Sequence, residues 1–281
     1  MKEWNVVRQL EKSLGVGDDC GIIEAGAQAF AVTTDMIHRK TDLPDGVSPK
    51  TAGWRAMAVS LSDIAAMGAD PHSGVLAIGV PGFDDELLKM TDGAREVCMN
   101  SGANYVGGDL DQHDEATLVS TVFGTTEDPT YRSGSSRGEL VCVTGELGRT
   151  CCALKLFEHG ETERANELFR FEPRTEQGKQ IGEVATSMMD ISDGLAVSLH
   201  QLKEASGNGF EVESDRVPYV DGVDFEEAVY FGGDYELLFT VPTEMEEELN
   251  PKTGFTVIGE CSGEEVSLDG RDLEKRGYQH G

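Results

Sequence analysis

The chain has 281 residues, 38% of them hydrophobic, which is enough apolar content to fill the core of one large or two modest domains. Its 52 acidic and 23 basic residues give a formal net charge of -29. This excess argues against nucleic acid or an anionic membrane as a partner, because proteins bind both through basic patches. No stretch approaches the roughly 20 apolar residues of a membrane span. Six scattered cysteines without a Cys-x-x-Cys pair indicate a reduced chain, so we expect a cytoplasmic protein.

The size of the negative charge itself favours a protein that works in concentrated salt. Self-repulsion among so many carboxylates disfavours the compact state unless counterions screen it. A halophilic source is therefore predicted, with an ordinary acidic cytosolic protein as the alternative.

Helical and strand periodicities alternate along the chain. A helix is expected over residues 4–14, followed by strands near 20–23 and 29–34. Next come an alanine-rich helix with Pro49 in its first turn, a strand, a helix and two strands, over 49–67, 74–80, 84–100, 104–106 and 117–123. A Pro-, Ser- and Gly-rich stretch at 128–138 suggests a boundary. Beyond it, strands are expected at 140–144, 209–213, 235–241 and 255–258, and helices at 150–158, 175–187 and 195–205. The interleaving predicts an α/β (α+β) fold in two domains, 1–138 and 139–281.

Aspartates recur where a glycine pair or an apolar run ends, at positions 19, 35, 63, 109, 190 and 193. Magnesium in phosphoryl-transfer enzymes takes such oxygen ligands together with substrate phosphates. In so acidic a chain each aspartate alone is also explained by a solvated turn or a helix cap. Asp63 differs, because it lies in a mostly apolar helix and burying an unpaired carboxylate is costly. The ordered set therefore indicates a magnesium-phosphate site.

Several other catalytic patterns are not found in the sequence. It has no Gly-x-x-x-x-Gly-Lys-[Ser/Thr] P-loop and no protein-kinase catalytic loop. No Ser or Cys nucleophile is legible, and the six histidines are dispersed. Phosphate binding would then depend on the aspartate set and on neighbouring glycine backbone.

Seven segments in fixed order carry a family resemblance: Gly17-Asp18-Asp19, 31–36, 56–69, Gly107-Gly108-Asp109, Val143-Thr144-Gly145, 189–195 and 232–240. Together they resemble the thiamine-monophosphate kinase family, in the superfamily of aminoimidazole ribonucleotide synthetase, selenophosphate synthetase and a carbamoyl-dehydrating hydrogenase-maturation protein. The resemblance implies an N-terminal α/β domain whose sheet pairs in a homodimer. It also implies a C-terminal α/β domain that closes over the nucleotide.

The resemblance also implies roles for individual residues. The implied magnesium ligands are Asp19, Thr33, Thr34, Asp35, Asp63, Asp109, Asp190 and Asp193. The implied ATP contacts are Gly108, Asp109, Arg132 and Ser192. Asp63, Asp109, Arg132 and Asp193 are expected to act in catalysis. An arginine suits this role because it can bind phosphate through two parallel hydrogen bonds.

On the substrate side, Asp42, Asp234 and Tyr278 are the implied contacts. Here the chain departs from the family pattern twice. Asp42 lies near the position where bacterial members carry His-Phe, and Gly232-Gly233-Asp234-Tyr235-Glu236 is one acid shorter than the usual Gly-Gly-Glu-Asp-Tyr-Glu. Both departures fall on the side of the implied site that would contact thiamine.

The implied reaction is magnesium-assisted, in-line transfer of a phosphoryl group from ATP to thiamine monophosphate, which forms thiamine diphosphate. Two alternatives stay open. One is another ATP-dependent reaction of the superfamily on a different acceptor, and the other is a nucleotide-binding regulator without catalysis.

Overall fold

The structure, a computed structural model, describes residues 9–10, 13, 17–26 and 28–279. The predicted helix over 4–14 and His280 lie largely or wholly outside these residues. Eight α-helices are formed within the described chain: α1 Pro49–Ala66, α2 Asp85–Asn100, α3 Arg149–Glu158, α4 Thr162–Phe169, α5 Thr175–Gly182, α6 Leu195–Ser206, α7 Phe225–Tyr230 and α8 Glu246–Thr253. None of the described helices is long and apolar enough to cross a membrane.

A five-stranded sheet forms the first half of the molecule. Its strands are β1 Gly21–Ala25, β2 Gln28–His38, β3 Asp70–Val80, β4 Asn104–Gln112 and β5 Thr117–Thr126. They are ordered β1-β2-β5-β3-β4, and only the β3–β4 pair is parallel. One face packs against α1 and α2, where alternate residues such as Ala31, Leu76, Leu118 and Val122 are buried. The other face carries exposed apolar side chains.

A seven-stranded sheet forms the second half. Its strands are β6 Leu140–Thr144, β7 Ser187–Asp190, β8 Phe210–Val212, β9 Leu237–Val241, β10 Phe255–Glu260, β11 Val266–Leu268 and β12 Arg271–Asp272. Their order is β12-β11-β8-β10-β6-β9-β7. Strands β7 and β9 are buried on both faces, so neither shows the alternating pattern of a half-exposed strand.

Helix α1 lies at the centre of the molecule, and 15 of its 18 residues are buried. Ser48 caps its start by accepting a hydrogen bond from the Thr51 amide at 3.1 Å, and Pro49 occupies its first turn, as predicted. Helix α1 crosses α2 so closely that the backbones of the two helices are in contact. A Cβ atom built on Gly53 would lie 1.8 Å from the Met90 carbonyl oxygen, and one on Gly93 would lie 2.0 Å from the Lys50 carbonyl oxygen. The two helices are therefore held in one fixed packing.

The predicted fold class is confirmed, and several element bounds are corrected. The chain over 175–187 was expected to be one helix, but α5 ends at Gly182 and strand β7 begins at Ser187. Thr33 to Asp35 were expected at a strand end and lie inside β2, while Gly107 to Asp109 were expected after a strand and lie inside β4. Helices α4, α7 and α8 and strands β11 and β12 were not predicted, because short elements carry little periodicity. The two sheets divide between residues 126 and 140, and the domain boundary at 138 stays a prediction.

Candidate active site

A cavity of about 490 Å³ lies between the first sheet, α1 and the loops that follow β7 and precede β9. Most of the predicted site residues line it. They are Asp19, Thr33, Thr34, Asp35, Asp42, Asp63, Arg132, Asp190, Ser192, Asp193 and Tyr278. The structure therefore brings together residues spread over 260 positions of sequence.

Three carboxylates meet at one end of this cavity. Asp19 precedes β1, Asp63 lies in the last two turns of α1, and Asp190 ends β7. One carboxylate oxygen from each lies within 4.8 Å of the others. Such spacing allows all three to bind one divalent cation, which takes oxygen ligands of this kind. Of the predicted magnesium ligands, these three form a group that could hold a metal ion, and their role stays a prediction.

Hydroxyl groups hold the carboxylates in place. Thr33 Oγ1 donates to Asp63 Oδ2 at 2.6 Å, and Ser62 Oγ donates to Asp190 Oδ2 at 2.6 Å. Ser60 Oγ donates to Asp35 Oδ2 at 2.7 Å, which places Asp35 beside the same group. Because Ser60 and Ser62 belong to α1, the orientation of two acids depends on one rigid helix. Thr33 therefore acts on the acidic cluster through its hydrogen bond to Asp63.

Burial and mutual repulsion raise the pKa values of Asp35, Asp63 and Asp190. Desolvation raises the pKa of Asp63 well above its usual range, and the nearby charges of Asp35 and Asp190 raise it further. The pKa of Asp190 rises to about 8 for the same reasons, with Asp19 as the main neighbouring charge. Desolvation also raises the pKa of Asp35. With its pKa near 8, the Asp190 carboxyl holds a proton near neutral pH when no cation is bound.

Arg132 lies against this cluster and pairs with Asp19. Its Nη2 is 2.6 Å from Asp19 Oδ1 and its Nε is 3.3 Å from Asp19 Oδ2, so the contact is bidentate. Burial would lower the pKa of Arg132, but the charge and hydrogen bonds of Asp19 outweigh it and raise that pKa. The Arg132 amide also donates to Asp18 Oδ1 at 2.7 Å. The guanidinium is therefore positioned at the rim of the acidic cluster.

Thr34, Ser192 and Asp193 line the same cavity without joining the three-carboxylate group. Thr34 points to the opposite face of β2 from Thr33, and its hydroxyl donates to the Ser120 carbonyl oxygen at 2.8 Å. Ser192 and Asp193 lie in the short turn between β7 and α6. The Asp193 carbonyl oxygen accepts a hydrogen bond from the Tyr278 amide at 3.0 Å.

The three predicted substrate contacts fall in different places. Asp42 lines the cavity and is fixed by the His38 amide and the Thr41 hydroxyl, each 2.7 Å from Oδ2. Tyr278 lines it as well and is half exposed. Asp234 does not line it. This buried carboxylate accepts from the Gly148 and Thr150 amides at the start of α3, at 2.7 and 3.2 Å.

Gly108 and Asp109 also lie away from the cavity of their own chain. They belong to β4, the edge strand, which is separated from β2 by β5 and β3. At about 4.8 Å per strand, the separation across the sheet is about 14 Å. In the strand registers, Asp109 lies beside Ala77, which lies beside Val119, which in turn lies beside Met36. The side chains of such a row lie on one face of the sheet, so Asp109 lies on the open face with Met36. Their predicted roles in metal and ATP binding stay predictions.

Several cavity-lining residues were not predicted as site residues, among them Asp18, Arg55, Phe169 and Tyr235. Burial raises the pKa of Asp18, partly offset by the bond from the Arg132 amide. Arg55, in α1, is buried beneath Phe169 and Tyr235. Asp18 could have been predicted from its place beside Asp19. Nothing in the sequence indicated that Arg55, a single arginine in an alanine-rich helix, is buried.

Comparisons with known proteins agree with this architecture. The AIR synthase related protein N-terminal domain matches residues 17–126, and the C-terminal domain of the same group matches 136–267. A thiamine-monophosphate kinase of Halobacterium salinarum is 46% identical, over 94% of this chain and 94% of its own. One of Methanospirillum hungatei is 40% identical, over 98% and 96%. This first relative fits the high-salt interpretation of the composition.

Solved structures give the same result. A structure described as AaThiL complexed with AMPPCP and TMP matches with a TM-score of 0.92 and 27% identity, over 100% of this chain and 97% of that one. Thiamine monophosphate kinase from Aquifex aeolicus matches with a TM-score of 0.87 and 26% identity, over 98% and 100%. On these grounds the chain belongs to the thiamine-monophosphate kinase family of AIR synthase related proteins.

Proposed function

We propose that the protein transfers the γ-phosphoryl group of ATP to thiamine monophosphate and forms thiamine diphosphate and ADP. A phosphate oxygen of the acceptor attacks the γ-phosphorus, and the bond from that phosphorus to the bridging oxygen of ADP breaks. The observation that carries the proposal is the meeting of Asp19, Asp63 and Asp190 in one cavity, in a chain of this family. The related structure described with AMPPCP and TMP supports the substrate pair.

The acidic cluster fits magnesium. It offers three carboxylates within 4.8 Å of one another, and the pKa values of Asp63 and Asp190 are raised by burial and by like charge. A cation there would relieve this repulsion. When bound, magnesium supplies positive charge that neutralises the phosphate oxygens and aligns donor with acceptor. Asp19, Asp63 and Asp190 would hold it, with Asp35 and Asp193 as further oxygen donors lining the cavity.

Arg132 supplies the protein's own positive charge at this end of the cavity. Its bidentate bond to Asp19 fixes the guanidinium plane, which leaves its remaining N–H groups for a phosphate. The attacking group is a phosphate oxygen that is already anionic near neutral pH. The reaction therefore needs no histidine base.

The remaining lining residues would hold the acceptor. Asp42 and Tyr278 lie on the cavity wall, and a carboxylate and an aromatic ring suit the cationic, aromatic thiamine group. Asp234 instead orients the start of α3, so we assign it an indirect effect on this wall.

We also infer that two copies pair through the open face of the first sheet. This face exposes Phe30, Met36 and Phe123 by 36, 54 and 40%. A set of exposed large apolar side chains on one sheet face is typical of a protein interface. Asp109 lies on the same face and would meet the partner copy. Phe123→Asp should convert the dimer to a monomer in multi-angle light scattering, whereas a native protein that is already monomeric would contradict the dimer.

The test of the reaction is product formation from ATP and thiamine monophosphate with magnesium in molar potassium chloride. Thiamine and aminoimidazole riboside phosphate serve as control acceptors. Asp63→Asn should reduce turnover by at least about 100-fold. Asp70→Asn, which alters an exposed ion pair with Lys179, should leave it unchanged. ATP binding without product from any acceptor would support the regulator instead, and product from another acceptor alone would reassign the reaction.

A further inference from the structure

Arg55 lies on the same stripe of α1 as a member of the acidic cluster. Arg55, Val59 and Asp63 follow one another at four-residue spacing, and all three line the cavity. Eight residues of helix span about 12 Å, so Arg55 lies about that far along the helix from Asp63. This stripe thus carries a carboxylate of the acidic cluster at one end and a buried guanidinium at the other.

The guanidinium of Arg55 joins three distant segments. Nη1 donates to the Phe169 carbonyl oxygen at 3.0 Å, while Nη2 donates to Thr150 Oγ1 and to the Gly233 carbonyl oxygen, each at 3.2 Å. Its central carbon lies 3.9 Å from the centre of the Phe169 ring and 5.4 Å from that of Tyr235. Arg55 is 6% exposed, and burial lowers its pKa. Within the described chain it makes no ion pair with a carboxylate.

The segment that Arg55 holds has an unusual backbone. Gly232 and Gly233 have φ values of +84° and +78°, and Tyr235 has a φ of +55°. A left-handed conformation at a residue with a side chain is unfavourable and persists only where surrounding contacts maintain it. Thr150 Oγ1 also donates to the Gly233 carbonyl oxygen, at 2.5 Å. Arg55 and Thr150 therefore share one acceptor and hold this segment against α1.

We propose that Arg55 is a positioning residue for the acceptor substrate. By binding the Gly233 carbonyl and lying against Phe169 and Tyr235, it fixes the part of the cavity wall that these residues form. That part of the wall orients the thiamine group, so that the acceptor phosphate is directed towards the acidic cluster. The proposal rests on the proposed kinase reaction. It predicts an effect on the acceptor that is separate from any effect on ATP.

The experiment compares Arg55→Met and Arg55→Lys with the native protein in steady-state kinetics, with each substrate varied in turn. Arg55→Met should raise KM for thiamine monophosphate by about 10- to 100-fold, because charged hydrogen bonds to the wall are lost. KM for ATP should change by less than about twofold. Arg55→Lys should recover part of the loss, since an ammonium can donate to one carbonyl but cannot join three segments. Arg170→Met, which removes a guanidinium near the Trp54 ring outside the cavity, is the matched control.

A purely structural role would lower the thermal midpoint without separating the two KM values. A folded Arg55→Met protein with native KM for thiamine monophosphate, or with equal rises in both KM values, would overturn the proposal. If Arg55→Met does not fold, Thr150→Val tests the same wall, because it removes the hydroxyl that binds both Arg55 and Gly233. Its KM for the acceptor should rise alone. If the native protein phosphorylated no acceptor, the proposed reaction itself would be refuted. The kinetics of the native protein therefore separate failure of the reaction from failure of the role proposed for Arg55.

Discussion

Replacing Asp190 with asparagine should stabilise the metal-free protein while it destroys the metal site. Asp190 is 2% exposed, and burial together with the charge of Asp19 raises its pKa from 3.8 to about 8. The folded protein therefore binds a proton at Asp190 more tightly than the unfolded chain does. The stability contributed by this proton is complete below pH 4 and is lost as the pH rises towards 8.

The size of the effect follows from this difference. At pH 7 the unfolded group lies about 3 units above its pKa, and each unit corresponds to about 1.36 kcal/mol, so the cost is on the order of 4 kcal/mol. Asparagine removes the ionisation, and its side-chain oxygen can still accept the bond from Ser62 Oγ. For a chain of this size the thermal midpoint should rise by about 8 °C or more.

The assay is the thermal midpoint of native and Asp190→Asn proteins after chelation, in molar potassium chloride, at unit steps from pH 4 to pH 8. The difference between the two should be near zero at pH 4 and should grow with pH. Added magnesium should stabilise the native protein and leave the variant unchanged. Asp114→Asn, which removes an exposed carboxylate, is the control. A variant equally stable at every pH, or less stable at pH 8, would refute the reasoning.

Three further results are expected. Arg132→Lys should reduce turnover on the order of 100-fold in steady-state assays, because lysine cannot reproduce the bidentate contact with Asp19; a twofold effect would contradict its assigned role. Arg174→Met should lower the free energy of unfolding by about 3–5 kcal/mol, because it leaves the buried Glu236 carboxylate without its ion pair, and adding Glu236→Gln should recover part of the loss. Raising potassium chloride from about 0.1 to 1 M shortens the screening length from about 10 to 3 Å, so the thermal midpoint should rise; a fall would argue against the high-salt interpretation.

The acidic cluster was predictable from sequence because its members have unusual local surroundings. Asp63 lies in a mostly apolar helix, so its carboxylate required a partner, and Asp190 was selected because it ends an apolar run and belongs to the ordered set of aspartates. The Gly-Gly-Asp pattern was less informative. It occurs inside an edge strand at Asp109 and in a left-handed loop at Asp234, and neither side chain lines the cavity.

Other features depend on tertiary contacts that no local pattern records. The burial of Arg55 depends on Phe169 and Gly233, which lie more than 100 residues away in sequence. Strand β7 was not predicted, because four buried residues are too few to show a period of two, and the expected helix was extended to its first residue, Ser187. Local spacing in the sequence thus identifies buried carboxylates that need a partner. The long-range contacts of the other segments are seen only in the fold.

The close crossing of α1 and α2 determines which parts of the molecule can move during turnover. With the Gly53 and Gly93 backbones in direct contact with the neighbouring helix, α1 can neither slide nor tilt without backbone collision. The cavity-facing stripe from Arg55 to Asp63 is therefore expected to stay fixed relative to α2. Any opening of the cavity for product release is then expected to come from wall residues outside this stripe rather than from the helix.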